Sequence, residues 1–109
     1  MQRSRQTAFK VWIYDIKNNE YIKELGEWEP NYVLFNAKKI SRVNIIANVV
    51  LKYENEDKTY AQIVIDDGSS DISVKSWRED IRVLEDINIG DTVIIIGRPR
   101  KFNNEIYIT

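Results

Sequence analysis

The residues with the clearest chemistry in this chain are two aromatics, each closing a basic, alternating segment. Trp77 ends Asp71 to Trp77 (DISVKSW), and Phe102 ends Asp91 to Phe102 (DTVIIIGRPRKF). Successive residues of an extended strand point to opposite sides. Ile72 and Val74 therefore share one side of the first segment, against Ser73, Lys75 and Trp77. In the second, Val93, Ile95 and Gly97 oppose Ile94, Ile96, Arg98, Arg100 and Phe102. A flat ring and cations on one solvent face can stack a nucleobase and neutralise a backbone phosphate. Trp77 and Phe102 are thus candidate stacking residues. Lys75, Arg78, Arg98, Arg100 and Lys101 are candidate phosphate contacts. Tyr60 and Gln62, on the outward side of the segment Thr59 to Asp66, extend the same surface. The duller readings are a Trp that closes off a core, a Phe that packs in a loop and a patch of cations for solubility. The side that the two rings share with Lys75, Arg98 and Arg100 favours exposure.

Other chemistries find no residues to carry them. The sequence has no His and no Cys, which excludes disulfides and thiolate metal sites, and it has no Gly-rich phosphate loop. Asp66 and Asp67 adjoin a Gly-Ser turn with no His or Cys to work with, so turn chemistry is expected of them. No catalytic, cofactor or metal site is expected. Sixteen Lys and Arg against seventeen Asp and Glu leave a net charge of -1, unhelpful for a nucleic-acid binder. The charges are segregated, however. Lys38, Lys39 and Arg42 form one basic cluster and Arg98 to Lys101 another, while Glu54 to Asp57 is acidic and expected to be a solvated turn. No run of about 18 apolar residues offers a membrane span. Nothing directs export, so an intracellular setting is expected.

The elements that must position these side chains are mostly strands. Met1 to Thr7 is polar and reads as a mobile arm. Ala8 to Tyr14 (AFKVWIY) alternates as a strand, Lys17 to Glu20 as a turn, and Tyr21-Ile22 as a possible hairpin partner. Tyr32 to Phe35 is a short extended piece. Trp12, Trp28 and Tyr32 are expected to glue residues 1–38 to the remainder. Lys39 to Tyr53 is the longest β-rich stretch, suited to a strand that bends and serves two sheets. Thr59 to Asp66, Asp71 to Trp77, Asp91 to Phe102 and Glu105 to Thr109 supply the rest, with Asn55 to Lys58, Asp67 to Ser70 and Asn103-Asn104 as turns. Arg78 to Asp86 is the only helical candidate, with Ile81 and Leu84 three apart and Ser76 as its possible cap. From Lys39 the order is strand, strand, strand, short helix, strand, strand. Closing five short strands into a barrel removes exposed edges. The expected class is all-β: a five-stranded oligonucleotide-binding barrel (OB-fold) over residues 39–109, with an N-terminal β extension over residues 1–38.

Arg42 to Thr109 resembles the OB domain of the middle subunit of replication protein A, especially archaeal forms. The resemblance lies in RVNIIANVV, IDDGSSDISVKSW, GDTVIIIGRPRKF and the closing EIYI. The preceding FKVWIYDIKNNEYIKELGEWEPNYVLF is similar to the N-terminal extension of those proteins, and telomere-capping OB relatives stand second. No single motif here is as specific as a zinc or P-loop signature; order and spacing carry the likeness. The resemblance implies sequence-tolerant binding of single-stranded DNA within a complex of OB-fold subunits, in DNA replication and repair. It puts stacking aromatics at Trp77 and Phe102. It also implies a glycine where this chain has Ala47, which bears on the bend of the first strand. A helix that bundles with partner subunits should follow the fifth strand; the sequence ends at Thr109, so the chain is either trimmed or without that element. Two other binding roles stay open: an assembly module that scarcely touches DNA, favoured by outward Ile94 and Ile96, and an RNA-binding OB domain.

Overall fold

The computed structural model describes residues 7–26 and 30–109; Trp28 and residues 1–6 of the expected arm lie outside the described residues. In chain order the elements are β1 (Phe9–Lys10), α1 (Ile13–Lys17), β2 (Glu20–Ile22), β3 (Tyr32–Phe35), β4 (Lys38–Ile40) and β5 (Val43–Glu54). There follow β6 (Tyr60–Asp66), β7 (Asp71–Trp77), a 3-10 turn (Arg78–Ile81) running into α2 (Arg82–Glu85), β8 (Thr92–Gly97), β9 (Pro99–Phe102) and β10 (Glu105–Ile108).

β5 organises the sheet. Its first half, Val43 to Asn48, pairs with β8, and its second half, Asn48 to Glu54, pairs with β6. The change of partner coincides with a bulge between Val49 and Leu51. There Val49 N–H donates to Asp91 O (2.9 Å) and Gly90 N–H donates to Val49 O (2.8 Å), pinning the corner. A bulge bends a strand and sharpens its twist. The bend thus comes from the extra residue near Val50; Ala47 sits in regular register opposite Val93. From β6 the ladder runs antiparallel to β7, parallel to β10 and antiparallel to β9. β9 continues through the single residue Arg98 into β8, which returns to β5, so the five-stranded barrel closes. Arg98 and Thr109 exchange both backbone hydrogen bonds at 3.0 Å. The seam is tight: a Cβ on Gly97 would lie 2.6 Å from Thr109 O and 2.7 Å from Ile108 Cγ2.

The inward positions Ile45, Ile63, Ile65, Ile72, Val74, Ile95 and Ile108 form one core, which Ile81 and Leu84 of the helical segment cap. The same cluster includes Ile13, Ile16, Val33 and Ile40 from the N-terminal third. β2, β3 and β4 make a separate three-stranded antiparallel sheet. Topology and core together are those of an all-β OB-fold barrel, with the short helix between its third and fourth strands.

Several local expectations are corrected. Ala8 to Tyr14 is not one strand: only Phe9–Lys10 is extended, pairing parallel with Val43 and Asn44, and Ile13–Lys17 is helical. Ile13 and Ile16, three apart, are both fully buried. Ile13 N–H donates to Asp67 Oδ2 (2.8 Å) and Tyr14 N–H to Ser69 Oγ (3.1 Å), so groups far along the chain satisfy the helix start. Arg78 to Asp86 is therefore not the only helical piece. Tyr21-Ile22 pairs with β3, not with the first strand. The stretch Lys39 to Tyr53 is interrupted at Ser41-Arg42, where Arg42 O accepts Phe9 N–H at 3.0 Å. Ser76 does not cap the helical turn; Trp77 precedes it, and Arg78 enters at φ +55 with its N–H donated to Thr59 O (2.9 Å). Of the residues expected to fasten the extension, Trp12 is 61% exposed and lines a shallow hollow with Asn44, Ile46 and Asp67, whereas Tyr32 is buried.

Candidate nucleic-acid interface

The inward set of β6 and β7 is apolar, so the opposite parity of the same strands must face out. Register fixes which residues share that outer face. Tyr60 is opposite Trp77, Gln62 opposite Lys75 and Val64 opposite Ser73. Ser73 is in turn beside Tyr107, Tyr107 opposite Arg100, and Glu105 opposite Phe102. Trp77 and Phe102 therefore stand on one outer face, 44% and 67% exposed. Phe102 lies one outward position beyond Arg100, about 7 Å of strand, next to the turn. Asn103 and Asn104 take φ +51 and +64 there, the left-handed pair that a two-residue hairpin needs and asparagine tolerates.

The rings form a connected row. Tyr53 and Tyr60 have centroids 6.2 Å apart, Tyr60 and Trp77 5.5 Å, and Trp77 and Tyr107 6.3 Å in an edge-to-face arrangement. Such spacings are those of favourable aromatic pairs. Tyr60 Oη donates to Gln62 Oε1 (2.6 Å). Burial lifts the Tyr60 hydroxyl above the ordinary tyrosine value, with the Lys75 ammonium opposing and the Glu105 carboxylate assisting. The turn beneath is built by Asn55, whose Oδ1 accepts the N–H of Thr59 (2.9 Å) and Tyr60 (3.1 Å). Glu56 and Asp57 project from it into solvent.

Lys75 is held rather than free. Its Nζ lies 2.6 Å from Glu105 Oε1 and 4.6 Å from the centre of the Tyr107 ring. Burial works against its charge, but the Glu105 hydrogen bond and the neighbouring Tyr60 hydroxyl outweigh it and hold the ammonium above the ordinary lysine value. Arg100 is exposed and, with Trp77 and Tyr107, lines a groove of about 830 Å³ that runs on to Ile94, Ile96 and Val83. Arg98 is exposed beside the barrel seam, and Arg78 is exposed just past Trp77. Lys101 departs from the others. It is opposite Ile106, on the reverse side of the hairpin, and lines a hollow with Lys17, Tyr21 and Asp71. The structure thus brings Tyr60, Gln62, Lys75, Trp77, Arg100 and Phe102 onto one face and leaves Lys101 behind it. Tyr53, Tyr107 and Glu105 share that face and were not among the sequence candidates. The parity of Tyr107 was visible, opposite to that of Ile106 and Ile108; its neighbours were not.

Among the described residues no group of His, Cys, Asp or Glu could hold a metal ion, and no helix is long and apolar enough to cross a membrane. Asp66 and Asp67 serve the turn, as expected. Asp66 Oδ1 accepts Gly68 N–H (2.7 Å), and Asp67 Oδ1 accepts Ser69 N–H (2.9 Å) and Ser69 Oγ (2.6 Å).

No protein-family model matches this sequence, and neither does any curated protein. Solved structures do match. One is a chain of a replication protein A heterotrimer bound to single-stranded DNA: TM-score 0.71 at 20% identity, over 94% of this chain and 75% of that one. Another is the SSB domain of a protein from Synechococcus sp.: TM-score 0.51 at 20% identity, over 65% of this chain and 90% of that one. At such identities the shared property is the fold, and by topology, core and superposition alike this chain is an OB-fold protein.

Proposed function

We propose that the protein binds single-stranded DNA without strong sequence preference, as an OB-fold subunit of a replication protein A-like complex serving DNA replication and repair inside the cell. Within this reading residues 39–109 are the barrel, residues 1–38 its extension, and the chain corresponds to the middle subunit of archaeal type. The observation that carries the proposal is the outer row Tyr53, Tyr60, Trp77 and Tyr107 with Arg100 beside it. Bases stack on Trp77, Tyr107 and Phe102, while Arg78, Arg98 and Arg100 meet phosphates. Lys101 reaches the backbone only where the strand rounds the hairpin. Stacking is worth about 1–3 kcal/mol per base, so two or three rings give one domain moderate affinity. Tethering beside other OB-folds multiplies it through effective concentration. The match to a chain of a heterotrimer bound to single-stranded DNA supports the same reading.

Anisotropy of a labelled dT oligomer, titrated at several salt concentrations, tests the proposal. Binding that weakens with salt by about 0.7 in log–log slope per phosphate is expected. Competition by a U oligomer of equal length separates DNA from RNA, because a contact to the 2′-hydroxyl favours RNA.

One observation favours a second role. Ile94 and Ile96 are 65% and 52% exposed, and Ile46, directly across from Ile94, is exposed as well. An outward apolar strip of this kind suits a partner subunit. Absence of dT binding at low salt, with partner proteins co-purifying, would select assembly over DNA binding.

A further inference from the structure

We infer that Glu105 is a built-in competitor for the phosphate that Lys75 would otherwise hold, and that it thereby sets the affinity and salt response of the stacking face. The inference rests on the DNA-binding reading above and adds a residue that opposes it. Lys75 Nζ is 2.6 Å from Glu105 Oε1, and its side chain is only 16% exposed, against 50% for Glu105. The ammonium is wedged over the Tyr107 ring at 4.6 Å, and Tyr107 touches Trp77. The carboxylate is the solvent-facing member of the pair; the cation is the enclosed one.

Position gives the pair its effect. Glu105 is on β10, opposite Phe102 on β9, while Lys75 reaches it from β7. A strand stacked on Trp77 and Tyr107 and continuing to Phe102 must cross that carboxylate. Of the cations assigned to phosphate, Arg78, Arg98, Arg100 and Lys101 have no ion-pair partner among the described residues. Lys75 alone is already neutralised. When its carboxylate yields to a phosphate, one anion replaces another, and little counterion release follows from that site. Glu105 therefore lowers affinity and flattens the salt dependence while it keeps Lys75 and Tyr107 in place in the free protein.

The test compares wild type, Glu105→Gln, Lys75→Gln and the double variant for dT-oligomer affinity across a salt series, with thermal melting to confirm folding. Glu105→Gln is expected to bind roughly two- to five-fold tighter at low salt, the range of one exposed ion pair. Its log–log salt slope should steepen by about 0.7, one further phosphate. Glu105→Ala, which offers Lys75 no acceptor, should change affinity in the same direction. In the Lys75→Gln background the gain should vanish. Unchanged or weaker binding by Glu105→Gln beside a wild type that binds would overturn the inference, as would an equal gain without Lys75. A wild type that fails to bind dT removes the DNA-binding reading, and this inference with it; the wild-type titration alone reveals that case.

Discussion

The indole of Trp77 meets the ring of Tyr107 edge-on, centroids 6.3 Å apart, across the one parallel seam of the barrel, between β7 and β10. The contact joins the aromatic end of β7 to the hairpin that carries Arg100 and Phe102. It turns two patches, separate in sequence, into one outer surface.

Removing either ring should therefore cost binding. Trp77→Ala is expected to weaken dT affinity by about 1–3 kcal/mol, and Tyr107→Ala by a similar amount, since it removes a ring and the surface under Lys75. Glu56→Ala, in the solvated turn, should leave affinity unchanged. Anisotropy titrations of the three variants are sufficient, and negligible effects from both ring deletions would remove the site assignment.

Gly97 is needed for close approach, not for an unusual dihedral. A methyl there would meet Thr109 O at 2.6 Å and Ile108 Cγ2 at 2.7 Å, at the end of the closing strand and just past it. Gly97→Ala should destabilise the fold by about 1–3 kcal/mol, the usual cost of overpacking. Gly26→Ala, with open space around its position, is the control. Urea unfolding midpoints decide between them.

Asp67 ties the barrel to α1 and has a signature in pH. Burial alone would raise its pKa, but hydrogen bonds from the Ser69 hydroxyl and from the N–H groups of Ile13, Ser69 and Ser70 outweigh it and hold the carboxyl below the ordinary aspartate value. A depressed folded-state pKa means stability that is present above the unfolded value, near 3.9, and lost as pH falls through the folded one. Wild-type stability should decline in that acid window. Asp67→Asn should flatten the decline and cost about 1–3 kcal/mol at neutral pH, as expected for hydrogen bonds to a charged group. A pH profile identical to wild type would contradict the assignment.

Ile16 is fully buried in the same core as Ile63, Ile65 and Ile108. Ile16→Ala should lower the stability of the whole molecule by about 2–5 kcal/mol. Unfolding should remain one transition by Trp fluorescence and by circular dichroism alike. Separate transitions would show that the N-terminal third melts apart from the barrel.

How much of this was legible in the sequence follows from how local each cause is. The alternation of Ile63 and Ile65, then Ile72 and Val74, marks β6 and β7 because burial on one side leaves a period of two. Ile81 and Leu84 mark the helical segment for the same kind of reason, with a spacing of three. α1 was hidden: AFKVWIY alternates well, and the carboxylate that receives Ile13 N–H is 54 residues away. Trp12, expected to help fasten residues 1–38 to the remainder, is 61% exposed, while its helical neighbour Ile13 is fully buried. Lys75 and Glu105 are 30 residues apart, and only the β7–β10 pairing brings them together. Lys101 read as one of a basic run, yet its parity within the hairpin sets it behind Arg100.

The chain has three tryptophans, so the most direct measurement is one that makes Trp77 the sole reporter. In a Trp12→Phe, Trp28→Phe background, dT oligomer should quench Trp77 fluorescence to saturation, and rising salt should shift the midpoint to higher oligomer concentration. Binding seen by anisotropy with Trp77 emission unchanged would contradict base stacking at this ring and move the nucleic-acid path elsewhere on the barrel.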